Sequence, residues 1–285
     1  MVNCNFLNLF FDEEVFNMTF EIIPVEIDRI KRNKLFSICT LVTDKIEYKK
    51  MLNSFINAGF SKKNCEYLYI DNTLNNKYDA YQGLNTFLNL AVGRYIILCH
   101  QDVLIKYNNK NDLLSRIKEL EIIDPNWGVL GNAGYKNILQ MSVRITDPYG
   151  ENQSSGIFPQ KIRTLDENFV VVKNSANLSL SNDIGGFHLY GSDLCIIAEF
   201  LGYSSYVIDF HIYHKSGGKA DDMFFRTKSR FVQKYQKKLR TRFLRTTATY
   251  LFISNSKLKN WFFNKKIGLS LKKKYEILKK HIKIK

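Results

Sequence analysis

The chain has no C-x-x-C pair, no apolar run of 18 residues and no basic segment ahead of an early apolar stretch. Its five cysteines, Cys4, Cys39, Cys65, Cys99 and Cys195, are scattered, and the last four lie inside apolar stretches. They read as buried free thiols, which fits a reducing cytosol better than a secreted disulfide framework. Without a long apolar run, no transmembrane helix is predicted. The N-terminus carries Asp12, Glu13 and Glu14 and no basic region, so no signal peptide is predicted. Acidic residues are scarce toward the end: residues 226–285 hold 20 Lys or Arg and one acid, Glu276, a net of +19. The whole chain carries +15, so residues 1–225, with 22 basic and 26 acidic residues, carry about −4. A near-neutral body bears a strongly basic tail, which suits an anionic partner, either membrane lipid or nucleic acid.

What the chain does have is a core. It is 285 residues long and 45% hydrophobic, enough for one large domain or a domain with an appendage. Residues 1–33 form an N-terminal arm, in which 20–27 suggest a strand that Pro24 keeps out of a sheet centre. Residues 35–43 predict a buried strand. Asp44 is placed to cap a helix with Tyr48, Met51, Leu52, Phe55 and Ile56 at helical spacing, and Gly59 to stop it. A second strand, 65–70, ends in Asp71-Asn72. A helix over 78–91 follows, then an apolar run into His100-Gln101-Asp102. This β-α-β-α-β alternation predicts an α/β fold with a mostly parallel central sheet and right-handed crossovers. Beyond it, the spacing predicts a helix over 112–120, a strand over 127–134 and hairpins or loops over 135–165. A strand over 169–172, a helix over 192–201 and a last strand near 206–210 complete the body.

His100 and Asp102 stand one residue apart at the carboxyl end of a buried strand, where open α/β sheets bind ligands. They are candidates to hold a divalent metal or a phosphate-bearing ligand.

Residues 80–103 (AYQGLNTFLNLAVGRYIILCHQDV) resemble the nucleotide-sugar core of family 2 glycosyltransferases of the GT-A fold. In that family an Asn-bearing helix ends in Ala-x-Gly and feeds a strand that finishes in a D-x-D type motif. His100-Gln101-Asp102 is a variant of that motif. The resemblance covers about 35–220 and shares the order of motifs. It implies a GT-A, Rossmann-like domain over 34–223 that uses a nucleotide-diphosphate sugar of UDP or dTDP type and Mn²⁺ or Mg²⁺ bound by Asp102, His100 and a remote His214. A divalent cation neutralises the departing diphosphate without proton transfer. An imidazole ligand tilts the choice toward Mn²⁺. Of His211 and His214, an extended segment sends only one into the site. Asp71 would read the base, with Asn72, Thr40, Asn85 and Gln101 helping to hold the nucleotide. An inverting transfer needs a base for the acceptor hydroxyl. Gly191 falls where the family carries that acid, so Asp193 is the first candidate, with Asp166 and Glu167 in reserve.

Residues 224–285 predict a basic helical tail. Phe231, Tyr235, Leu239 and Phe243 recur every four residues among lysines and arginines, an amphipathic pattern suited to an anionic membrane surface. The expectation is an inverting transferase extending a surface glycan or lipid-linked acceptor at the cytoplasmic face of the membrane. Two alternatives stand beside it. One is a degenerate GT-A scaffold that binds nucleotide or glycan. The other is a basic-tailed nucleic-acid-associated protein, disfavoured because no nucleic-acid module is recognisable.

Overall fold

The computed structural model describes residues 33–218, 221–245 and 250–265, with single positions at 267, 268, 270, 271 and 274. Residues 1–32 of the predicted arm over 1–33 and the tail beyond 274 lie outside the described residues. The body begins with β1 (Lys34–Val42), α1 (Lys45–Asn57), β2 (Cys65–Asp71), α2 (Ala80–Leu90) and β3 (Gly93–Cys99). Each start has a local cause. Asp44 accepts the backbone N–H groups of Ile46 and Glu47, and Asp79 forms a reciprocal capping box with Gln82. Gly59 takes a φ of +90° after α1, a conformation open to glycine. Ile56, placed on the buried stripe by spacing, is 42% exposed at the helix end.

After β3 come β4 (Val103–Leu104), α3 (Lys110–Ile123), β5 (Trp127–Gly131), β6 (Ala133–Tyr135), β7 (Met141–Asp147), β8 (Gly150–Ser155), β9 (Gln160–Ile162), β10 (Thr164–Leu165) and β11 (Phe169–Lys173). Then follow α4 (Tyr190–Phe200), β12 (Ser204–Val207), β13 (Ile212–His214), α5 (Asp222–Lys238), β14 (Arg242–Arg245), β15 (Tyr250–Ile253) and α6 (Lys257–Phe263). The central sheet has the order β2-β1-β3-β11-β5-β12-β9. β2, β1 and β3 are mutually parallel, β11 opposes both neighbours, and β5 and β12 are again parallel. Five of the seven strands therefore run one way, as β9 also opposes β12. This is an α/β fold with a Rossmann-like first half.

Two cores flank the sheet. Ile97 points with Phe36, Met51, Phe55, Leu113 and Ile117 toward α1 and α3. Ile96 and Leu98 point the other way, toward Tyr81, Leu84, Phe87, Leu194 and Tyr235 on α2, α4 and α5. The alternation of a strand buried on both faces requires this. Each such buried aliphatic contributes about 1.5–3 kcal/mol.

Two stretches differ from expectation. Residues 127–134 are two strands: β5 stays in the central sheet, and β6 crosses to a second one. Asn132, fully buried between them, donates to the Arg144 carbonyl. Residues 135–165 hold hairpins, as expected, with β7 antiparallel to β6 and to β8, and they build that second sheet, in the order β10-β6-β7-β13-β4 with β8 on β7. Finally, the helix at the start of the tail stops at Lys238. Phe243 lies in a β14–β15 hairpin, packed on Phe252 and Phe263 at centroid distances of 4.5 and 5.6 Å. The expected boundary at 224 falls inside α5, whose Tyr235 is buried in the body's core. Among the described residues, no helix is long and apolar enough to cross a membrane.

Candidate metal centre

β1, β2 and β3 end at one edge of the sheet, since Val42 pairs with Asp71 and Cys39 with Leu98. His100 and Asp102 leave the end of β3 there. The second sheet delivers the third member: β13 pairs antiparallel with β4, setting His214 opposite Val103, and the Lys215 N–H donates to the Asp102 carbonyl at 3.2 Å. Ligand atoms of His100, Asp102 and His214 lie within 4.8 Å of one another. His214 Nε2 is 3.4 Å from Asp102 Oδ1, 3.4 Å from His100 Nδ1 and 3.3 Å from the Ser216 hydroxyl.

The His100 tautomer follows from its neighbours. The Tyr190 hydroxyl donates to the Glu167 carbonyl at 2.9 Å and lies 2.8 Å from His100 Nε2. Its one proton is committed, so Nε2 must be the protonated nitrogen and donate to the phenolic oxygen. Nδ1 is left as a lone pair facing His214 and Asp102. Burial, then the neighbouring His214, lowers the His100 pKa to about 4, so the ring is neutral at pH 7. Burial alone would raise the Asp102 carboxyl. Hydrogen bonds from His214 and Ser216 outweigh it and hold the group well below its usual range. Protons of His214 and Ser216 separate these converging lone pairs. A divalent cation satisfies all three. The donor set of two imidazoles and one carboxylate fits Mn²⁺ better than Mg²⁺, which prefers oxygen.

His211 takes no part. It is buried, 2.9 Å from the Thr146 hydroxyl, and stacks on Tyr107. The Ser216 hydroxyl joins the centre beside His214.

The other predicted residues divide sharply. Asp71 is exposed at the end of β2. Lys45 at 2.7 Å, then Thr73, lower its pKa to about 2. Asn72 holds both backbone groups of Tyr78, and Asn85 both of Leu180. Gln101 accepts from the N–H groups of Thr43 and Asp44 and donates to the Thr43 hydroxyl. Thr40 is buried against Cys99. These four hold loops and strand ends in place, and their polar atoms are engaged within the fold.

Asp193, the first candidate base, is enclosed in the core. It is 0% exposed, Oδ1 accepts from the Ser181 and Tyr235 hydroxyls at 2.8 and 2.6 Å, and Oδ2 accepts from the Ser181 N–H at 2.8 Å. Gly191 cannot carry an acid either: a Cβ there would lie 2.6 Å from the Leu165 carbonyl oxygen and 3.3 Å from Glu167 Cγ. Glu167 fills that space. Its carboxyl is raised to about 8 by burial and by Asp166, against backbone N–H groups of Gly191, Leu189 and Tyr190. Asp166 is exposed, with Oδ1 taken by the Asn168 backbone and side-chain amides. The Asn168 carbonyl accepts the His100 N–H at 3.0 Å, which places Asp166 two residues from the strand that bears the centre. Tyr190 was missed by sequence reasoning, because a single aromatic at the first position of a helix carries no periodic signal.

No protein-family model matches the sequence. A relative from Fuscovulum blasticum, "ATP synthase subunits region ORF 6", is 35% identical over 216 residues, spanning 74% of this chain and 87% of the relative. The chain belongs to that protein's family. The relative's description states no activity. Among solved structures, S. aureus TarS 1-349 in complex with UDP-GlcNAc is 14% identical with a TM-score of 0.46, covering 67% of this chain and 60% of that one. GalNAc-T7 with UDP, GalNAc and Mn²⁺ is 8% identical with a TM-score of 0.48, covering 71% and 48%. A197 from STIV is 14% identical with a TM-score of 0.38, covering 64% and 86%.

Proposed function

We propose that the chain is a metal-dependent glycosyltransferase of GT-A type, transferring a sugar with inversion from a UDP- or dTDP-type donor to a glycan or lipid-linked hydroxyl. The observation that carries this reading is the convergence of His100, Asp102 and His214 at the carboxyl ends of the parallel strands, where α/β sheets bind nucleotides. His100, Asp102 and His214 would hold Mn²⁺, and the ion would supply charge neutralisation for the leaving diphosphate. Asp71 stands at the end of β2, free to accept a base N–H once Lys45 is displaced. Lys45 and Lys215, paired with Asp71 and Glu47, flank the same sheet edge and suit phosphate oxygens. With Asp193 enclosed, Asp166 is the base: its Oδ2 has no hydrogen-bond partner among the described residues.

The tail supports residence at the cytoplasmic face of a membrane. Exposed Phe225, Val232, Leu239, Trp261 and Phe262 stand among its cations. In this division of labour 34–223 performs the transfer and 224–285 docks the enzyme.

The test is turnover. Purified protein with Mn²⁺ should hydrolyse or transfer from a nucleotide sugar, and Asp102→Ala should abolish it. A second reading, a binding scaffold without catalysis, is favoured by the enclosure of Asp193 and the glycine at 191. Tight nucleotide binding with no turnover against any acceptor would establish it in place of the enzyme.

A further inference from the structure

Away from the metal centre, α5, the turn at 183–184 and the start of β14 enclose a cleft of about 490 Å³. Its walls carry Arg230, Lys234, Lys237, Lys238, Arg240 and Arg242 against a single acid, Asp183. Lys234 pairs with Asp183, and Arg230 donates to the Ile184 carbonyl at 3.2 Å, fixing two cations at the floor. Arg242 donates to the Lys238 carbonyl, folding β14 back over the end of α5. Among the described residues, Lys237, Lys238 and Arg240 have no carboxylate partner. Six cations around one concavity repel one another, and the helix macrodipole relieves only the last turn of α5. Arginine forks and lysine ammoniums converging on a cleft of this size match the oxygens of a phosphate group.

We propose that this cleft is a binding site for a phosphate-bearing anion. The source that fits best is a phospholipid headgroup, because Leu244 stands exposed two residues from Arg242, on the same side of β14. A free phosphate or diphosphate would use the same donors. The cleft is independent of the transferase reading, and its lipid source rests on the membrane reading. It is also joined to the body. Tyr235, on the helix that forms the cleft wall, donates to Asp193 on α4, and Tyr190 at the start of α4 reaches His100.

The experiment uses the full chain, inorganic pyrophosphate as soluble probe and vesicles of phosphatidylcholine with or without phosphatidylglycerol. Two variants remove equal charge from exposed positions: Lys237→Gln/Lys238→Gln/Arg240→Gln in the cleft, and Lys62→Gln/Lys63→Gln/Lys118→Gln on the body. The cleft variant should weaken pyrophosphate binding by roughly 100-fold, with the body variant within about threefold of wild type. Vesicles containing phosphatidylglycerol should sediment the wild type and the body variant more strongly than the cleft variant. Equal losses in both variants, or no pyrophosphate binding by the wild type, overturn the cleft. Pyrophosphate binding without vesicle binding keeps the cleft and removes the membrane reading, and neither result bears on sugar transfer.

Discussion

His100 Nε2 stands 2.8 Å from the Tyr190 hydroxyl, and that hydroxyl's own proton is spent on the Glu167 carbonyl. The chain thereby fixes which imidazole nitrogen faces the cluster. Outer partners of this kind orient a ligand and set its tautomer, and losing one typically costs 10–100-fold in metal affinity. Tyr190→Phe is therefore expected to weaken Mn²⁺ binding by roughly tenfold. Calorimetric titration of Mn²⁺ into the two proteins checks this, with circular dichroism to confirm the fold. Unchanged affinity would mean that His100 does not ligate the ion.

Asp102 and Asp166 should separate binding from proton transfer. Asp102→Asn removes the one anionic ligand, so Mn²⁺ affinity should fall by at least about 100-fold and turnover with it. Asp166→Asn should leave Mn²⁺ affinity and donor KM close to wild type and lower kcat by roughly 10²–10⁴-fold, the usual range for a general base. Steady-state kinetics with paired metal titrations distinguish the two. A loss of Mn²⁺ affinity in Asp166→Asn would place that residue among the ligands.

The legible parts of the fold were those whose cause is local. The alternation of 35–43, 65–70 and 95–99 with amphipathic helices follows from periodicity, and Asp44 and Gly59 mark their own helix ends. His100, Asp102 and His214 were legible because strand ends and motif order point to one edge. The second sheet was not: β8 reads GENQSS, a strand with no apolar residue, held by its pairing to β7 alone. Phe243 kept the four-residue spacing of Phe231 and Tyr235 by coincidence, since its partners lie in a hairpin and a later helix. Asp193 misled for the same reason. An acid in the first turn of a helix looks reactive until its partner, 42 residues later on α5, is known.

Two half-buried groups near the centre give stability a pH dependence. Glu167 is raised from 4.5 to about 8 in the fold, so its stabilising share is full below pH 4.5 and lost as pH rises through 8. His100 is lowered from 6.5 to about 4, so its share is present above pH 6.5 and lost as pH falls through 4. The two windows overlap and oppose each other there, so the thermal stability of the metal-free protein should peak inside the overlap, at about pH 5–6, and decline above it. Glu167→Gln should flatten the alkaline decline while leaving the acid limb in place. Each tenfold displacement of proton affinity is about 1.4 kcal/mol, so the alkaline loss is on the order of a few kcal/mol. Melting curves from pH 4 to pH 9 measure it, and an unchanged alkaline limb in Glu167→Gln would assign the decline to another group.

Asp193 and Tyr235 bind the basic helix to the α/β body through one buried hydrogen bond of 2.6 Å. Asp193 also holds the Ser181 N–H and hydroxyl, so Asp193→Ala strands three donors in a dry core. The expected loss is about 3–5 kcal/mol of unfolding free energy, against about 1–2 kcal/mol for Tyr235→Phe, which removes one donor and leaves the ring packed. In the double variant the two losses should fall short of additive by the energy of the shared bond. Turnover per folded molecule should stay near wild type in Tyr235→Phe and in Asp193→Asn, which keeps the shape of the side chain. Urea unfolding and kinetics on the same preparations decide the matter. A collapse of kcat at full stability in Asp193→Asn would return this residue to the reaction, because a purely structural carboxylate has no means of changing kcat in a molecule that remains folded.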